Sequence, residues 1–156
     1  MELLNNIWTA LSTPNESLLN TILILLNIFV EAPLTFSLIV EVFKLKYNLK
    51  KKLIFITIFS ISSLLSMFII PEPFNIIINY IIIFILLYMS FKLKVIQNLI
   101  ATIFPSIVFN LIGFLILNPF LTILNINYSQ VESIPIYRIL FASIMYIIVF
   151  LLLLLF

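Results

Sequence analysis

The chain has 156 residues, 64% hydrophobic and 9% charged, with a formal net charge of +2 and a mean hydropathy of +1.33. Six acids and eight bases cannot cover a soluble domain of this size. Histidine, cysteine and aspartate are absent and Gly113 is the lone glycine, so no disulfide, metal cluster, histidine base, phospho-acceptor histidine or phosphate-cradling loop is expected. The chain as given is therefore not expected to be an enzyme, and no catalytic residue, cofactor or metal is expected.

Met1–Trp8 has no basic residue ahead of an apolar core, unlike a secretory signal. Leu3, Leu4, Ile7, Trp8 and Leu11 share one helical face, so residues 1–13 read as an amphipathic helix lying on the membrane with Trp8 as its anchor. In Thr13-Pro14-Asn15-Glu16, Thr13 caps a helix, Pro14 takes its first position and Glu16 closes the capping box. The rest, 14–156, reads as an all-α, polytopic transmembrane bundle of about five spans. The first runs near 18–43 with Pro33 as a kink, and ends among five lysines. A second, 53–70, stops at Pro71-Glu72-Pro73. A third covers 74–91 and ends at Lys92 and Lys94. The fourth, 95–117, gives way to a short outer helix from Asn118-Pro119, with Pro105 and Gly113 bending it; Asn125–Ser133 is a polar loop, and the fifth span fills 134–156.

Seven of the eight bases flank the first and third inter-span connections, one side of the membrane. The positive-inside rule makes that side cytoplasmic, with the N-terminus outside and the C-terminus inside. Glu2, Glu16, Glu72 and Glu132 then lie outside. Glu41 falls at the lysine-rich interface.

Ionisable groups inside a membrane are costly and mark function or a specific partner. Asn20, Asn27, Glu31 and Thr35 follow one another at steps of seven and four, a polar stripe facing the bundle interior. By depth, Ser62, Ser63, Ser143 and Tyr146 are candidate partners for Glu31; the group either contacts a ligand or ion, acts as a signalling switch, or is a protonated structural residue. Arg138, beside Tyr137, either snorkels to the headgroups, pairs with Glu16, Glu72 or Glu132, or awaits an anionic ligand. Counted from the outer helix ends, Glu31 and Arg138 differ in depth by roughly 14 Å, which argues against direct pairing. Asn75, Asn79, Asn110 and Asn118 read as helix–helix contacts.

Ile7-Trp8-Thr9-Ala10-Leu11-Ser12-Thr13-Pro14-Asn15-Glu16 and Ile134-Pro135-Ile136-Tyr137-Arg138 resemble segments of the N-terminal membrane region of clostridial GHKL-type, Agr-like sensor histidine kinases. The order of features resembles that region along essentially the whole chain. The resemblance implies a sensor module of a two-component, quorum-sensing-like system in a bacterial plasma membrane. It would act as a homodimer, receive an extracellular peptide or small molecule, and pass the signal to a cytoplasmic kinase region. That region's phospho-acceptor histidine and nucleotide-binding motifs are missing here. Asn20, Asn27, Glu31, Thr35, Tyr137 and Arg138 are the candidate ligand or signalling residues, and the bilayer rather than nucleic acid is the expected partner. The alternatives are the membrane subunit of a small-solute transporter and an accessory membrane protein. Poverty in glycine and the lack of an internal repeat argue against transport.

Overall fold

The computed structural model describes residues 2–71 and 73–155, without the side chains of Glu2, Leu3 and Leu117. The expected arginine partner Glu72 and the last residue, Phe156, lie outside the described residues. Eight α-helices follow one another: α1 (Glu2–Ser12), α2 (Glu16–Leu26), α3 (Ala32–Val42), α4 (Leu49–Ile69), α5 (Phe74–Phe91), α6 (Val95–Leu124), α7 (Tyr128–Ser133) and α8 (Pro135–Leu153). A single π-helical turn, Asn27–Glu31, joins α2 to α3, so that Glu16–Val42 forms one continuous span. With α4, α5, α6 and α8 this makes five helices long and apolar enough to cross a membrane. The described chain is an all-α bundle of the multi-pass membrane kind.

The first span is central. It packs against α4, α6 and α8, while α4, α5, α6 and α8 each pack on the next. Its most apolar window is 33% buried, against 17–22% for the other four. Phe36, buried near its lysine-bearing end, meets Phe55 at 5.2 Å and Tyr47 at 5.3 Å between ring centroids. Leu87 and Ala101 complete this cluster from α5 and α6. Outward faces are equally apolar: Ile85, Ile96, Ile107 and Ile147 stand exposed, a surface suited to acyl chains rather than water.

Several boundaries differ from those read in the sequence. Asn15, not Thr13, caps the first span, its Oδ1 accepting from the Leu18 amide at 3.0 Å. Thr13 closes α1 instead, donating its hydroxyl to the Thr9 carbonyl at 2.7 Å. Pro14 thus lies between the two helices, where its missing N–H and fixed φ suit a connection. The second span begins at Leu49, because Asn48 accepts from the Lys51 amide at 2.9 Å. α6 does not stop near residue 117. It runs unbroken through Pro105 and Pro119 to Leu124, since an interior proline removes one backbone bond while its neighbours' bonds carry the helix on. Residues 125–133 are more than a loop: the Gln130 side chain accepts from the Asn127 amide at 2.8 Å and opens α7.

With glycine so scarce, other residues take the left-handed helix ends. Lys44, with φ of 48°, closes α3, the Leu45 amide reaching back to the Val40 carbonyl at 2.9 Å. Asn125, with φ of 56°, closes α6 in the same way. Both are Schellman ends built without glycine.

Candidate functional site

The kink expected at Pro33 takes the form of the π turn. Pro33 cannot donate to the carbonyl one turn back, and its ring crowds that carbonyl. The turn before it widens, and the Ala32 amide bonds the Asn27 carbonyl five residues back. A π turn holds one residue more than an α turn, which rotates everything after it by about 100° relative to an uninterrupted helix. The anticipated stripe is therefore broken beyond the turn: Asn27 and Glu31 stay together and Thr35 is rotated away from them, while Asn20 lies before the turn.

Asn27 is 5% exposed. Its Nδ2 donates to Ser63 Oγ of α4 at 3.1 Å and, more weakly, to Glu31 Oε2 at 3.4 Å. Of the partners proposed for Glu31, Ser63 thus serves Asn27, whereas Ser62 turns its hydroxyl back to the Ile58 carbonyl of its own helix at 2.6 Å.

Glu31 itself faces a cavity of about 510 Å³ between the first span, α6, α7 and α8. Arg138 and Tyr146 line the same cavity. The depth estimate is corrected on geometric grounds, while no direct Glu31–Arg138 pair is formed. The first span is 27 residues long and α8 is 19, so their lysine-free ends are not level. Counted from their opposite ends, Val42 and Leu153, Glu31 lies 11 residues in and Arg138 15, about 16 and about 22 Å at 1.5 Å per residue. The difference is about 6 Å, short enough for an arginine side chain to span.

The Arg138 side chain makes no hydrogen bond or ion pair with any described residue, so the alternative of pairing with Glu16 or Glu132 is not realised. Tyr137, one position away and turned by about 100°, does not line the cavity; nor do Asn20, Asn27 or Thr35. Asn110 and Asn118, expected as helix–helix contacts, line it instead. Asn79 does join helices, its Oδ1 accepting from Ser66 at 3.1 Å. Asn98, not singled out in the sequence, is fully buried and donates to the Phe84 carbonyl of α5 at 2.8 Å.

A second lobe of about 360 Å³ shares Glu31, Asn110, Arg138 and Tyr146 and extends to Ile76 and Tyr80 of α5. The two lobes meet at the charged residues. Phe109, Phe141 and Met145 supply apolar wall, and the Phe109 ring meets Tyr146 edge-on at 6.1 Å. Gly113 also borders the space; a Cβ there would sit 3.9 Å from Met145 Sδ. One carboxyl, one guanidinium, phenols and two amides on an aromatic wall are the chemistry of recognition. No protein-family model, curated protein or solved structure matches the chain.

Proposed function

We propose that this bundle is a membrane-embedded receptor, the sensing half of a two-component histidine kinase, which passes an extracellular signal to a kinase region not carried by this chain. The observation that carries the reading is the cavity between the first span and α8, which Glu31 and Arg138 both line with no ion pair among the described residues. The lysine-bearing connections face the cytoplasm by the positive-inside rule, which turns the cavity, with α7 at its rim, to the outside. A ligand that touches Glu31 acts on the central helix at its π turn, where a small change of register reaches α4, α6 and α8 together. The resemblance of Ile7–Glu16 and Ile134–Arg138 to receptor-kinase segments supports the same reading, with a bacterial plasma membrane as the site and a homodimer as the working form.

The test is the transcriptional response of the source cells to their own spent medium. Glu31→Gln, with the protein still present in the membrane, is expected to abolish that response. An unchanged response would remove the receptor reading. The break in the first span beside an intramembrane carboxyl favours a second reading, solute transport, because transporter sites are built at helix interruptions. Saturable solute uptake into proteoliposomes of the chain alone would replace sensing with transport.

A further inference from the structure

The cavity holds one carboxyl and one guanidinium that are not spent on each other. The Arg138 guanidinium bonds to no described residue, and the Glu31 carboxyl receives only the 3.4 Å contact from Asn27. Charged side chains at membrane depth persist when paired or solvated. A ligand with a single charge would satisfy one group and, by displacing water, leave the other worse off. A ligand carrying both charges satisfies the two at once. The lining around them is apolar and aromatic at Phe109, Phe141 and Met145, and about 510 Å³ lies within the usual range of small-molecule sites.

Resting on the receptor reading above, we propose that the cavity binds a small zwitterion: a molecule with a carboxylate and an ammonium on one apolar skeleton. Its carboxylate meets Arg138, its ammonium meets Glu31, and its apolar body packs against the aromatic wall.

The chain has no cysteine, so Ala142→Cys places a single thiol on the cavity wall. The full chain carrying it, in phosphatidylcholine nanodiscs, is titrated with phenylalanine, N-acetylphenylalanine and phenylalaninamide while maleimide labelling is timed. Phenylalanine is expected to protect the thiol at a concentration at least about tenfold lower than either blocked analogue, the loss of one charge-assisted contact. Adding Glu31→Gln is expected to make phenylalanine and N-acetylphenylalanine equal. Adding Arg138→Gln is expected to make phenylalanine and phenylalaninamide equal. A purely structural role for the two side chains would not sort the analogues in this way, and the labelling rate without ligand reports whether each variant is folded.

Equal protection by phenylalanine and its N-acetyl form in the parent overturns the proposal in favour of an anion site. Equality with the amide overturns it in favour of a cation site. No protection by any of the three, with the thiol reactive, also overturns it and leaves the charges to water. None of these results touches the receptor reading, which rests on the spent-medium response.

Discussion

The hydrogen bond from Asn27 to Ser63 ties the π turn to α4, and its strength follows from its surroundings. The 3.1 Å contact joins two uncharged groups, while the 3.4 Å contact to Glu31 is too long to add much. Asn27 Oδ1 is buried with no partner among the described residues, so Asn27→Ala both loses a bond and relieves an unsatisfied oxygen. The single substitution therefore understates the bond, and a double-mutant cycle with Ser63→Ala is needed. Interhelical bonds of this kind in membranes average about 0.6 and reach about 1.7 kcal/mol, and a coupling energy in that interval is expected. The assay is equilibrium unfolding in mixed micelles, with free energies from the midpoint and slope. Ser62→Ala is the internal control, because that hydroxyl bonds within its own helix, and its coupling to Asn27 should vanish. Coupling to Ser63 below the roughly 0.3 kcal/mol scatter of additive pairs, or equal coupling to both serines, would refute the register assigned to the turn.

Three further outcomes follow from the packing. Phe36→Ala should cost about 3 kcal/mol in the same assay, because a 1%-exposed ring in an aromatic cluster leaves a void; Phe29→Ala, at a 71%-exposed ring of the same span, should stay within about 0.5 kcal/mol. Gly113→Ala should raise stability by about 0.5–1 kcal/mol, since its Cβ meets only ordinary contact with Met145; a loss would show that the cavity wall is tighter than described. Gln130→Ala removes the side-chain acceptor at the start of α7 and should cost about 1 kcal/mol, read as roughly fivefold faster amide exchange over residues 131–133.

The number and rough placing of the spans were legible in the sequence because long apolar runs and lysine clusters carry that information locally. What was not legible was set between helices or by competing local bonds. Thr13 and Asn15 are both chemically able to cap the first span; which of them does so depends on where the chain on either side is already bonded. Pro119 next to Asn118 looks like a break, yet a 30-residue helix passes through it, because one lost bond does not outweigh continuous bonding on both sides. Of the candidate site, Glu31 and Arg138 were named but kept apart, because depth was counted from helix ends that are not level. Carrying the stripe on to Thr35 assumed an unbroken α period, and Pro33, read as a bend, widened the turn before it instead. Asn98 carried no signal beyond its residue type in a sequence rich in asparagine.

The proposed receptor function requires the cavity between the first span and α8 to open to the outside. It is tested most directly by treating intact cells with a membrane-impermeant maleimide, comparing single cysteines at Ala142 on the cavity wall, at Asn127 beside α7 and at Asn48 ahead of α4. The account predicts labelling of Ala142→Cys and Asn127→Cys in intact cells, and of Asn48→Cys only after permeabilisation. Labelling of Asn48→Cys from outside, or an Ala142→Cys thiol reached only after permeabilisation, would contradict it.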